Sequence, residues 1–88
     1  MKRINVIIDK GENIVKEHRT LLFLEHNSLY ILYVITDGAK PEHCVGRTNF
    51  EDIVKFAQNY LNELGEYAVI EPTDFDAETM KIYEKLRA

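Results

Sequence analysis

The chain of 88 residues is long enough for one domain and too short for two, and its 45% hydrophobic and 30% charged residues argue against disorder. Its lone cysteine, Cys44, excludes an internal disulfide, and its longest apolar run is too short to cross a bilayer as a helix. Because its start lacks the pattern of a signal peptide, we expect a single-domain cytoplasmic protein that spans residues 1–88.

Sequence periodicity predicts three strands in the N-terminal half. Apolar and polar residues alternate over 3–9, a second strand ends within 20–25, and residues 29–36 are rich in β-branched and aromatic side chains. Turns are predicted at 10–13, at 26–28 and at Asp37-Gly38. Residues 39–47 are predicted as a loop with room for a short fourth strand around 43–45.

The segment from Ile14 to Glu25 is ambiguous. Its apolar residues also recur at helical spacing, which would give alternating strands and helices and a parallel sheet. We favour a hairpin, because residues 20–24 are apolar on all sides and the short loop after them suits antiparallel strands.

Two amphipathic helices and a short strand are predicted in the C-terminal half. The first helix follows a cap at Thr48 or Asn49 and stops at Gly65. A strand is predicted over 67–71, and Pro72-Thr73-Asp74 is predicted to open the second helix. Its predicted inward side chains are Phe75, Met80, Ile82, Tyr83 and Leu86. The fold class is therefore α+β, an antiparallel sheet of four to five strands with two helices in the order β-β-β-(β)-α-β-α.

The predicted third strand is apolar on both of its faces, which is unusual for an antiparallel sheet with one side in water. If the two helices lie on opposite faces, the monomer is closed; if both lie on one face, which short connections favour, the other face is an exposed apolar interaction surface. We assign that surface to Tyr30, Leu32 and Val34, and expect a homodimer or a docked protein there.

The net charge of −4 is concentrated in the second half, where no Lys or Arg occurs between Lys55 and Lys81. The acidic residues in that gap are predicted to bind a basic protein partner. They are Glu63, Glu66, Glu71, Asp74, Asp76 and Glu78. The first function predicted is thus that of a small interaction or regulatory protein, with no catalytic residue and no cofactor.

Two alternatives remain open. Basic residues of the N-terminal strands, beside Tyr30 and Tyr33, are of the types that bind single-stranded nucleic acid. They are Lys2, Arg3, Lys10, Lys16, His18, Arg19, Lys40 and Arg47. The adjacent pair His43 and Cys44 suggests metal- or thiol-dependent activity, although the paired spacing of a zinc site is missing.

Overall fold

The computed structural model describes residues 2–9, 11, 16–36 and 41–87, and for His43 the backbone alone. The described chain is an α+β structure with five strands and two helices, which confirms the predicted class and order. Its elements are β1 (Lys2–Ile8), β2 (Glu17–His26), β3 (Leu29–Thr36), β4 (Pro41–Arg47), α1 (Phe50–Leu64), β5 (Ala68–Pro72) and α2 (Ala77–Arg87).

All neighbouring strands of the sheet are antiparallel, in the order β4-β3-β2-β1-β5. β2 and β3 form a hairpin whose loop residues, Asn27 and Ser28, both have positive φ. That conformation matches the right-handed twist of the two strands. The hairpin prediction is therefore confirmed over residues 17–26. The predicted turn at 10–13, apart from Gly11, and the one at Asp37-Gly38 lie outside the described residues.

β4 is longer than the sequence predicted. Residues 41–47 form a strand along the outer side of β3, where a loop with a short central strand was expected. Pro41 and Gly46 are residues that weaken a strand prediction, but both are tolerated at the edge of a sheet. The conformation of this segment is decided by its pairing with β3, which the local sequence pattern does not predict.

α1 begins and ends at residues whose side chains suit those positions. The Asn49 side chain accepts a hydrogen bond from the backbone N–H of Glu51 at 2.9 Å, so Asn49 is the cap. Gly65 has a φ of 84° and donates its N–H to the carbonyls of Leu61 and Asn62. Only glycine adopts this backbone conformation readily, which explains why the helix stops there.

α2 starts later than predicted, at Ala77. Asp76 precedes it and accepts hydrogen bonds from the backbone N–H and the hydroxyl of Thr79, at 3.2 and 2.6 Å. Phe75 lies before this cap, so helical spacing does not direct its side chain inward, and it is 82% exposed. The prediction that Phe75 is a core residue is wrong. The buried side of α2 is formed by Thr79, Ile82 and Leu86.

Both helices lie on the same face of the sheet. α1 contacts β3 and β4, α2 contacts β1 and β5, and the two helices contact each other. The core between them and the sheet consists of alternate strand residues and the inner side chains of the helices. These are Ile4, Val6, Ile8, Leu21, Phe23, Leu32, Val34, Val45, Ile53, Val54, Ala57, Ile82 and Leu86. In the part of the chain that the structure describes, no helix is both long and apolar enough to span a membrane.

Candidate protein-binding face

The strand residues that alternate with the core residues form the opposite face of the sheet, which we call the open face. None of the described elements covers it, because both helices pack on the other side. Strand register places Leu22 beside Tyr33, Leu24 beside Ile31 and Thr20 beside Ile35. The large apolar side chains of this hairpin are only partly buried, and we call them the apolar patch. They are Leu22, Leu24, Ile31, Tyr33 and Ile35.

The predicted interface residues Tyr30, Leu32 and Val34 lie on the covered face instead. Leu32 and Val34 have no exposed surface, and the ring of Tyr30 packs edge-on against Phe50 at a centroid distance of 5.3 Å. Successive residues of a strand point to opposite faces, so the prediction had to decide which alternate set of β3 residues faces the helices. That choice was wrong, and the exposed set is the one that contains Ile31 and Tyr33.

A polar band borders the apolar patch on the β1 side. Asn5 lies between Thr20 and Glu71 in neighbouring strands, and Arg3 lies beside Leu22. The open face is therefore polar over β1 and the end of β5, and apolar over β2 and β3. A smaller apolar pair, Ile7 and Val69, lies beyond the band.

β4 borders the patch on its other side with small residues. Cys44 is the cross-strand neighbour of Tyr33, and Gly46 is that of Ile31. A methyl group added at Gly46 would meet nothing nearer than the Tyr30 carbonyl oxygen at 4.0 Å, so this strand forms a shallow depression. Cys44 is an exposed free thiol, and its hydrogen bonding raises the pKa of the Tyr33 hydroxyl above the usual 10.0.

The six predicted acidic residues are all exposed, but the structure does not bring them together. Glu63 and Glu66 lie before β5, whereas Asp74, Asp76 and Glu78 lie after it, which separates the two groups by about the 17 Å length of a five-residue strand. Glu71 alternates with the half-buried Ile70 and lies on the open face.

Lys2 compensates part of this acidic charge. Its ammonium group lies 3.1 Å from Asp76 and 3.3 Å from Glu78. The hydrogen bonds from the Thr79 hydroxyl, from Lys2 and from the Thr79 N–H hold the pKa of Asp76 well below its usual 3.8. These two carboxylates are thus explained by the start of α2 and its ion pairs. Binding of a basic partner by the acidic residues stays a prediction.

The basic residues considered for nucleic-acid binding are also dispersed. Lys2 and Arg19 lie on strand positions that face the helices, and Tyr30 is packed in the same layer, while Arg3 and Tyr33 are on the open face. Arg19 pairs with Glu17 at 3.0 Å, and Lys16 pairs with Asp9 at 3.5 Å. Lys10 and Lys40 lie outside the described residues. No continuous basic surface results from the described side chains.

The metal or thiol alternative has limited geometric support. The side chain of His43 lies outside the described part of the structure, and Cys44 is on the open face. Among the residues described, no three His, Cys, Asp or Glu side chains are grouped as a metal ion would require.

One cleft of about 590 Å³ lies on the helix side, between α2 and the loop end of the β2–β3 hairpin. Its wall is aromatic, from Phe23, Tyr30 and Phe50, and its mouth carries lysines. Lys85, one of these, already pairs with Glu51 and lies over the Phe50 ring at 5.6 Å. Of the three lysines that line the cleft, Lys2 and Lys85 are thus engaged in ion pairs.

The open face with its apolar patch is the largest apolar surface that the described helices leave uncovered in the sheet. Periodicity indicates that both faces of β3 are apolar, but only strand register places Leu22 and Leu24 in the same patch. The comparisons add no function, since no protein-family model, no curated protein and no solved structure matches this chain.

Proposed function

We propose that the chain is a small protein-binding domain that acts in the cytoplasm, and that the apolar patch is its binding surface. The observation that carries this proposal is the row of five large apolar side chains on a sheet face that no described element covers. Contiguous apolar patches of this kind on small proteins mark interaction sites. The single cysteine supports the cytoplasmic assignment, because small secreted domains usually carry several.

The small size of the chain limits how much apolar surface it can bury by itself. A domain of this length buries only about two-thirds of the surface that its unfolded chain exposes, so its core is thin. Here one layer of helices covers one side of the sheet, and the hydrophobic side chains of β2 and β3 on the other side stay in contact with water. Docking a protein there removes that surface from water without any rearrangement of the core.

The composition of the patch favours binding over catalysis. Its centre consists of aliphatic side chains and one tyrosine, whereas acid–base catalysis needs ionisable groups held in a cleft. The polar band, with Arg3, Asn5 and Glu71, forms one rim of the patch. An apolar centre with a polar rim is the usual arrangement of a protein–protein interface.

Photo-crosslinking in living cells tests this proposal, because it captures whichever protein contacts the patch. The photoreactive amino acid p-benzoylphenylalanine replaces Tyr33 in the patch or, in the matched control, Phe56, an exposed aromatic residue of α1 on the helix side. After irradiation, we expect covalent protein adducts at position 33 in clear excess over position 56. Equal yields at the two positions, or no adduct at position 33, would contradict the proposal.

A further inference from the structure

We infer that the occupant of the apolar patch is a second copy of this chain, packed face to face about a twofold axis that runs along β3. This inference rests on the proposed binding function and adds the partner and its orientation. The shape of the open face, the distribution of its charges and its area all agree with such a dimer.

The open face is bulky on one side of β3 and shallow on the other. On β2, Leu22 and Leu24 protrude beside Tyr33 and Ile31, while on β4 the same two rows end in Cys44 and Gly46. Each row thus carries a large side chain, a central side chain and a small one. The pattern is that of a ridge along β2 and a depression along β4.

A twofold axis along β3 exchanges the two sides. It places β2 of each copy over β4 of the other, so that Leu24 lies over the second copy's Gly46 and Leu22 over its Cys44. The central residues Ile31 and Tyr33 then meet their own counterparts. The same surface is used twice, as a closed dimer with this symmetry requires. Ridge and depression also interdigitate as they do when two sheets pack about 10 Å apart.

The charges of the open face agree with this orientation. β1 and β5 are the strands on the far side of β2, and in the dimer they extend past the β4 edge of the second copy. Arg3, Asn5 and Glu71 therefore stay in water, and no charge is buried without a partner. An axis placed over β1 would bury Arg3 and Glu71 in the interface instead.

The area indicates a weak dimer rather than an obligate one. Three strands about 4.8 Å apart and eight residues long, at about 3.4 Å each, give a contact of about 14 by 27 Å, or roughly 400 Å² in projection. This lies below the roughly 600 Å² of accessible surface that specific interfaces bury on each partner, in the range of weak and transient contacts. We therefore expect a dimer that dissociates at low micromolar concentration.

A thiol crosslink between the two copies tests the orientation directly. Leu22→Cys creates a thiol that the dimer places opposite Cys44 of the other copy, about 10 Å away across the two sheets, which is too far for a disulfide but within reach of a short bismaleimide crosslinker. The same two positions within one copy are also about 9.6 Å apart, so only products that migrate as dimers on a denaturing gel are counted. In those products we expect a 22–44 linkage, identified by peptide mass spectrometry. The matched control is Val69→Cys, which is exposed on the same face but lies two strands beyond the β4 edge of the second copy and should give no 69–44 linkage.

Gly46→Val provides a second test that does not use cysteine chemistry. The space at Gly46 is open in the single chain, its φ is not in the left-handed region, and valine favours strands, so the fold should be unchanged. In the dimer the new side chain fills the depression that receives Leu24. Overpacking of this kind should weaken dimerisation by about tenfold or more in sedimentation velocity.

The outcomes separate this inference from the proposed function. A wild-type chain that stays monomeric at high micromolar concentration, a dimer linked 44–44 without any 22–44 product, or an unchanged Gly46→Val dimer would overturn the inference. If such a chain still forms photo-adducts at position 33 with another protein, the patch binds that protein and the proposed function stands. If no adduct forms either, both fail.

Discussion

Two neighbouring residues of β3 provide a direct test of which face is the core. Leu32 has no exposed surface and lies between Phe23 and Val45 in the adjacent strands, whereas Ile31 is half-buried on the open face. Replacement by alanine removes the same number of carbon atoms from each. The two variants therefore differ mainly in the burial of what is lost.

The expected difference follows from the burial of each side chain. Removal of buried methylene groups costs about 0.8 kcal/mol each, and the cavity adds to this, so Leu32→Ala should lower the free energy of unfolding by about 3 kcal/mol. For Ile31→Ala a smaller loss of about 1–2 kcal/mol is expected, since the side chain is partly exposed and its removal leaves no closed cavity. A chain of this length is stabilised by about 4–13 kcal/mol in total, so both variants should fold.

Urea unfolding followed by circular dichroism measures both values. The protein should be at low micromolar concentration, where dimerisation does not contribute to the stability of either variant. Equal losses for the two variants, or a greater loss for Ile31→Ala, would refute the assignment of the two faces.

Three further predictions concern other parts of the chain. Because the pKa of Asp76 is lowered in the folded state, its contribution to stability is present above about pH 4 and lost as the pH falls further. The difference in free energy of unfolding between wild type and Asp76→Asn should therefore become smaller in acid. A constant difference in urea titrations from pH 5 to about pH 2 would contradict this. Phe75→Ser should change the free energy of unfolding by less than about 0.5 kcal/mol, since Phe75 is 82% exposed. A larger loss would show that Phe75 packs in the core after all. Finally, if the predicted acidic surface binds basic partners, an oligolysine peptide should bind with an affinity that falls as the salt concentration rises, and Glu63→Lys should weaken that binding. Calorimetry that finds salt-independent binding, or no binding, would argue against the acidic surface.

Local patterns were sufficient for most of the elements. α1 was predicted because its apolar spacing, its cap and Gly65 all agree, and the β2–β3 hairpin because its short loop joins two strongly β-favouring segments. β4 was missed over most of its length, because Pro41 and Gly46 disfavour a strand unless a neighbouring strand pairs with it. The start of α2 was placed too early because Asp74 and Asp76 are equally suitable caps in sequence.

The sequence indicated two apolar faces on β3 but not which of them the helices cover. The two apolar sets of β3 were visible, and so was the consequence of two helices on one face. The sequence could not indicate which set is buried, because Ile31 and Leu32 are similarly hydrophobic. Only the packing of α1 against β3 and β4 decides which of the two is covered. The acidic residues were grouped by their spacing in sequence, whereas β5 separates them in space.

The most direct test of the central claim, that the apolar patch binds protein and that its occupant is a second copy, is sedimentation velocity over a concentration series. Wild type, Ile31→Lys and Asn5→Lys should be compared, since the last two place the same charge on the open face inside and outside the patch. We predict that wild type and Asn5→Lys form a dimer as the concentration rises, while Ile31→Lys stays monomeric with an unchanged circular dichroism spectrum. A wild type that is monomeric throughout, or an Ile31→Lys variant that dimerises as well as wild type does, would contradict the account.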